Sequence, residues 1–447
     1  MDYLIIGHGP AGVNAAREIL QNDPQGKVTL ISKEGWPAYS RPLLSHLLAG
    51  EIAEERIFLN LEGLQVVVKL GVEARELNPT LGRVYLADGE ELPYDRLLLA
   101  VGGVPIVPQI EGIEGRGVYG FNSLDDIKRI GGEIAEKERA VVLGGGLIGL
   151  QAAWALRERG LEVTVVEILE QILGSILDRE GAEIVARHLE AHGVQFRCRR
   201  SVQKIDSSAK GVTSVLLDDG ERIGCGAVIV ATGVRPNLEL VRNTSIKTAR
   251  GIIVDSLLQT SLPGVFAAGD VAECYDPTWG EHRVNANWTN AMEQGRIAGR
   301  NMCGHATEYR GSLAMNSLTF YGLPCITMGL TRPPASCQEV SRADPHRGVY
   351  RKLILKDNRI VGAILIGEVR GAGAINWLLR EGLDLTRIGD KGEILDEGKE
   401  YINLLKDLRR EALQGREGEI AWRKSLWMEE RYEKRIDEER WREREKR

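Results

Sequence analysis

Residues Asp2–Ile6 (DYLII) run directly into Gly7-His8-Gly9-Pro10-Ala11-Gly12, and an amphipathic stretch follows at 13–20. The apolar residues read as a buried strand, the stretch as a helix, and Lys27–Ser32 as a second strand. In this GxGxxG spacing each glycine has its own task. Gly7 permits a tight strand-to-helix turn, Gly9 lets a pyrophosphate approach the backbone, and Gly12 lets helix and strand pack closely. Gly9-Pro10-Ala11-Gly12 lead into the helix, whose N-terminus faces the phosphates. The spacing alone is a weak signal, equally at home in a surface loop. The strand before it and the helix and strand after it make it a dinucleotide-binding turn.

The same arrangement recurs at Gly144-Gly145-Gly146-Leu147-Ile148-Gly149, after a strand at 140–143 and before a helix at 150–159. Residues 86–105 (LADGEELPYDRLLLAVGGVP) also align without a gap on 217–236 (LDDGERIGCGAVIVATGVRP). Each copy has an Asp-Gly-Glu hairpin turn, a buried strand, and an Ala-x-Gly end at Ala100–Gly102 or Ala231–Gly233. The chain is therefore an α/β protein with two Rossmann-like dinucleotide-binding domains, whose cofactors would face one another for electron transfer.

The ends of the second strands assign the cofactors. In the second module that end is Glu167, about twenty residues past the turn, where a carboxylate accepts adenosine ribose hydroxyls and repels a 2′-phosphate. Ile168, Leu169 and Glu170 offer no Arg or Lys to such a phosphate, so NADH is expected over NADPH. The corresponding end in the first module is Ser32, with Lys33 and Glu34 next. Ser32 is a weaker ribose partner than an acid, and Glu34 would share that work.

At 447 residues the chain has room for two or three domains, and its net charge of -6 provides no broad basic field for nucleic acid or anionic membrane. The longest apolar run, 97–110, is broken by Gly102, Gly103, Pro105 and Pro108, too early for a membrane span. With a core strand directly after Met1 and no leader pattern, a soluble cytoplasmic protein is expected. Cys198, Cys225, Cys274, Cys303, Cys325 and Cys337 show no CxxC or CxxxxC spacing, so structural, reduced thiols are expected. His188 and His192 stand i, i+4 near the end of a helix at 183–191. No third ligand accompanies them, and no metal site is assigned.

These modules resemble the FAD-dependent pyridine nucleotide-disulfide oxidoreductases over about residues 1–385. Residues 260–270 (TSLPGVFAAGD) look like the second FAD motif of that family, and 288–301 (WTNAMEQGRIAGRN) like the helix after it. The resemblance implies that Asp270 binds the FAD ribityl chain and that the helix points its N-terminus at the flavin, where its dipole would stabilise negative charge. It implies further FAD contacts at Lys33, Arg41, Pro42, Ala74, Ala100, Gly102 and Gly269, and an NAD contact at Gly233. The stretch 39–50 (YSRPLLSHLLAG) carries none of the cysteines that disulfide reductases, NADH oxidases and peroxidases of the family place there. In this it is similar to NADH:rubredoxin reductases, ferredoxin-type reductases and the flavin part of nitrite reductases. Residues 350–379 look like the small C-terminal domain of that group, two strands about an Asp357-Asn358 turn and then a helix.

Two positions depart from those relatives. Many have a Lys where His46 stands and a Glu where Gln151 stands, forming a salt bridge near the flavin; here a neutral pair would share a hydrogen bond, or His46 simply packs. The expected domains are 1–115 with 250–315 for FAD, 116–249 for NAD, an α+β interface domain at 316–385, and a helical extension at 386–447. The expected function is electron transfer from NADH through FAD to an iron-sulfur or rubredoxin-type carrier, or the reverse. A small-molecule NADH oxidase or peroxidase and a redox-sensing flavoprotein are the alternatives. From 415 to 447 the sequence is highly charged, without Pro, and holds Trp422, Trp427 and Trp441, three of the chain's eight Trp. Burying a Trp side chain removes roughly 150–250 Å² from water. The segment is therefore expected to dock the carrier through 416–447 or to pack on this chain; whether the protein also dimerises is left open.

Overall fold

A computed structural model describes residues 1–61, 63–134, 137–386, 388 and 390–395. The chain forms two compact units, Met1–Ser175 with Leu189–Ala314, and Ile176–His188 with the described residues from Met315 on.

In the first unit the strand Asp2–Ile6 lies at the centre of a five-stranded parallel sheet, ordered Val265–Ala267, Arg96–Leu99, Asp2–Ile6, Lys27–Ser32, Val66–Leu70. A second parallel sheet repeats the pattern around Arg139–Leu143, with Glu162–Glu167 and Val194–Cys198 on one side and Ala227–Val230 and Val118–Tyr119 on the other. Continuous apolar runs such as LLL at 97–99 suit strands covered on both faces, and all three leucines are buried. Each module also carries a three-stranded antiparallel sheet, Ala74–Asn78, Arg83–Leu86 and Glu91–Pro93 in one, Val202–Ser208, Gly211–Leu217 and Arg222–Gly224 in the other. The repeat extends to the link between modules. Gly103–Pro105 pairs antiparallel with its own sequence equivalent, Val234–Pro236, with Val104 opposite Arg235 and Pro105 opposite Val234, a local two-fold relation.

The helices begin earlier than the apolar pattern indicates, at Pro10–Asn22 rather than 13–20, Leu147–Glu158 rather than 150–159 and Arg179–Ala191 rather than 183–191. In the first, Pro10 fills the N1 position, where its fixed φ and missing N–H cost nothing. Helix Trp288–Met302 lies against Pro10–Asn22 at backbone distance: a Cβ on Gly295 would stand 2.1 Å from Ala11 O, and one on Gly299 2.7 Å from Ala15 O. Small residues at i, i+4 on both helices thus fix where the two N-termini sit.

The second unit is a five-stranded antiparallel sheet, ordered Met315–Phe320, Leu323–Gly329, Arg359–Ile366, Val349–Lys356, Gln338–Asp344, followed by the helix Ala372–Glu381. Asp357 and Asn358, both at positive φ (50° and 58°), make the tight turn of its central hairpin. Within this unit Lys352, 7 % exposed, is neutralised by Asp178, 2.7 Å away, and by Glu339. The expected extension at 396–447, with its three Trp, lies outside the described residues.

Candidate functional site

The two glycine turns have the same geometry. A Cβ on Gly7 would lie 2.0 Å from Ala100 O and one on Gly12 2.0 Å from Gly7 O; on Gly144 and Gly149 it would lie 2.4 Å from Ala231 O and 1.9 Å from Gly144 O. These four positions exclude any side chain. At the middle glycines, Gly9 and Gly146, a Cβ would meet nothing within 4 Å, so here the backbone faces a groove, not the fold. Those two residues are also the N-caps of their helices, and neither helix has a side-chain cap or an acid in its first turn. The first-turn N–H groups are therefore directed at an acceptor outside the helix, the arrangement that binds pyrophosphate.

His8 lies inside the first turn with both ring nitrogens buried and without a hydrogen-bond partner. Burial lowers its pKa to about 4, against the pull of Glu34. The open backbone at Gly9 and the uncapped start of helix Pro10–Asn22 fit a bound diphosphate dinucleotide. Asp270 follows the strand Val265–Ala267, and burial pushes its carboxyl up while Arg41 pulls it back. Gly269, at φ 80°, donates its N–H to Gln294 Oε1 at 2.7 Å, tying this turn to helix Trp288–Met302. Asn287 caps that helix, accepting Asn290 N–H at 2.8 Å.

Other expected FAD contacts form a fastening. Ser32 Oγ accepts the Glu34 N–H at 3.2 Å. Glu34 accepts from Tyr39 OH at 2.5 Å and from Arg41, which also donates to Asn122 O. Tyr39 OH accepts Leu124 N–H at 3.1 Å, and Trp36 Nε1 donates to Asp125 at 2.8 Å. The loop carrying Glu34, Arg41 and Pro42 is thereby bound to the start of helix Leu124–Glu133. Glu34 is occupied by Tyr39 and Arg41, while Lys33 points away to pair with Glu73 at 2.6 Å. Ala74 opens the strand Ala74–Asn78, and Ala100 and Gly102 close the Arg96–Leu99 strand end.

His46 and Gln151 come from contacting helices, Leu44–Ala49 and Leu147–Glu158, but no hydrogen bond joins them among the described residues. Gly50, at φ 80°, ends the first helix and turns the chain back, so that Glu51 Oε2 lies 2.6 Å from His46 Nδ1. The ring packs edge-on against Trp154 at 5.0 Å, one turn after Gln151. His46 thus has a carboxylate partner that its alignment with relatives did not indicate.

In the second module Glu167 is 8 % exposed and serves the glycine turn, accepting Gly145 N–H at 2.6 Å and Leu169 N–H at 2.8 Å. Each oxygen keeps a further lone pair for a ribose hydroxyl. Leu147 and Ile148 open the helix, and Gly233, at φ 107°, ends the Ala231–Gly233 turn. Sequence reasoning missed His8, Glu51, Arg199 and Arg200. The last two lie just past strand Val194–Cys198, which pairs with Glu162–Glu167, and their backbone N–H groups donate to Leu169 O and Glu167 O. Among the described residues all six cysteines are free, and burial pushes Cys225 up to about 11 and Cys274 and Cys325 to about 12.

Residues 1–295 match the Pyridine nucleotide-disulphide oxidoreductase family. This chain belongs to that family. FAD and NADH are the cofactors that membership and the paired turns assign to it. Residues 315–383 match the Rubredoxin NAD+ reductase C-terminal domain. Among characterised relatives, the NADH-dependent phenylglyoxylate dehydrogenase subunit epsilon of Aromatoleum evansii is 31 % identical over 86 % of this chain and 92 % of its own length. An NADH oxidase of Methanocaldococcus jannaschii is 30 % identical over 84 % of this chain and 90 % of its own. The crystal structure of NADH:rubredoxin oxidoreductase from Clostridium acetobutylicum superposes with a TM-score of 0.72 at 26 % identity, covering 89 % of this chain and 99 % of that one. No helix among the described residues is long and apolar enough to cross a membrane.

Proposed function

We propose that this cytoplasmic flavoenzyme passes electrons from NADH through FAD to a separate iron-sulfur or rubredoxin-type protein. The observation that carries the reading is the pair of superimposable glycine turns joined by Gly103–Pro105 and Val234–Pro236, together with the absence of any cysteine from 39–50. FAD, when bound, takes two electrons together from NADH and gives them up singly. The chain's own residues bind and orient. Gly7, Gly9, Pro10, Ala11 and Gly12 would hold the FAD pyrophosphate against the start of helix Pro10–Asn22, and Ser32 and Arg41 would close around its adenosine half. Asp270 and Gly269 would hold the ribityl chain, with the Asn287-capped helix directed at the ring. Gly144, Gly146 and Gly149 would hold the NADH pyrophosphate and Glu167 its ribose. Holding both rings in contact removes much of the orientational part of the barrier.

In this reading FAD belongs to 1–115 with 250–315 and NADH to 116–249, 316–385 is an interface domain, and the segment 416–447 docks the carrier. The name of the A. evansii relative, a dehydrogenase subunit, supports a stable hetero-complex. The M. jannaschii relative supports a second reading, an NADH oxidase. Steady-state assays separate the two. The proposed function requires fast NADH-dependent reduction of a one-electron carrier or dye and slow oxygen uptake; fast turnover on oxygen alone would establish the oxidase.

A further inference from the structure

The adenosine end of the second module is more basic in space than in sequence. Strands Glu162–Glu167 and Val194–Cys198 run parallel, with Glu167 opposite Cys198. Past Cys198 the chain turns through Arg199 at φ 57°, its N–H donating to Leu169 O at 2.8 Å, while Arg200 N–H donates to Glu167 O at 3.1 Å. The backbone of two arginines therefore lies against the end of the strand that carries Glu167, and Arg199 reaches Glu170, three residues past it. Both are held by acids: Arg199 Nη2 lies 3.1 Å from Glu170 Oε2, and Arg200 Nε 2.5 Å from Asp219 Oδ2.

We infer that Glu170 is a specificity-determining residue, keeping Arg199 from a 2′-phosphate and so holding the enzyme to NADH. The inference rests on the proposed seat of NADH at Glu167. A 2′-phosphate arriving here meets two carboxylates, Glu167 and Glu170, and an Arg199 whose charge is already balanced. Without the charge at 170, Arg199 becomes an uncompensated planar donor, the group best matched to a phosphate. The pair is exposed, with side chains 73 % and 57 % accessible, so breaking it costs little of the fold. Glu167 differs in kind, because its carboxylate also ties down Gly145 and cannot be removed without disturbing the turn.

The test is the ratio of kcat/KM for NADPH to that for NADH, with a one-electron dye, in FAD-loaded wild type, Glu170→Gln and Glu170→Gln with Arg199→Gln. Binding of 2′,5′-ADP and 5′-AMP by calorimetry gives a readout independent of turnover. Glu170→Gln should raise the ratio roughly tenfold and tighten 2′,5′-ADP but not 5′-AMP, and Arg199→Gln should cancel both gains. An NADH-selective wild type whose ratio moves less than twofold in Glu170→Gln overturns this inference alone, as does a gain that survives in the double variant. A wild type that uses NADPH as well as NADH overturns both the inference and the reading of Glu167.

Discussion

His8 is a titratable ring in a place where charge is unfavourable. Its folded pKa of about 4 lies below the ordinary 6.5, chiefly through burial, so the unfolded chain binds the proton more readily. Stability from this group is full above about pH 6.5 and is lost as pH falls toward about 4. Thermal unfolding of the cofactor-free chain should show part of its acid destabilisation in that window, and His8→Asn should remove that part. An unchanged pH profile would mean that the ring finds a partner in solution. Gln151 offers a second test at this scale. Restoring a charge with Gln151→Glu should lower the flavin potential, on the order of 30 mV for a two-electron couple; potentiometry showing no shift would remove this position from the flavin site. The glycine tasks at 7, 9 and 12 were legible because they involve neighbours along one turn. The pairing of His46 with Glu51 was not, because it depends on Gly50 turning left-handed at the helix end.

Among the elements, the glycines divide into those that carry the fold and those that face a ligand. Gly9→Ala and Gly146→Ala should leave unfolding stability within about 0.5 kcal/mol of wild type, as for changes that disturb no packing. The first should weaken FAD retention and the second should raise KM for NADH while FAD stays bound. Gly295→Ala is the contrasting case. Helix propensity alone would favour Ala by about 1 kcal/mol, but the new Cβ would stand 2.1 Å from Ala11 O. Backbone cannot yield as a flexible side chain would, so overpacking should win and destabilise by roughly 1–3 kcal/mol in a denaturant titration. A stabilised Gly295→Ala would show that the two helices are farther apart than described. Both parallel sheets were readable from their apolar runs and the repeat at 86–105 and 217–236. The approach of the two helices was not, since Gly295 and Gly299 are 284 residues from Ala11 and Ala15 and nothing local marks their partners. Arg199 and Arg200 were hidden for the same reason, one strand over from the acid they flank.

At the scale of the whole molecule, the chain joins a two-electron donor to a one-electron acceptor with no cysteine at 39–50 to relay the electrons. The proposed docking through 416–447 predicts that a truncation after residue 415 keeps NADH-to-dye activity but loses its carrier in co-purification. A truncated chain that holds its carrier with unchanged affinity removes the docking proposal, and one that loses FAD points to packing on this chain. The central claim is tested most directly by anaerobic titration of the FAD-loaded protein with NADH, followed by an oxidised one-electron carrier. One equivalent of NADH should bleach the flavin completely, with no further uptake, and two equivalents of carrier should restore its colour. Uptake of a second equivalent of NADH, or a reduced flavin that only oxygen reoxidises, would contradict the account.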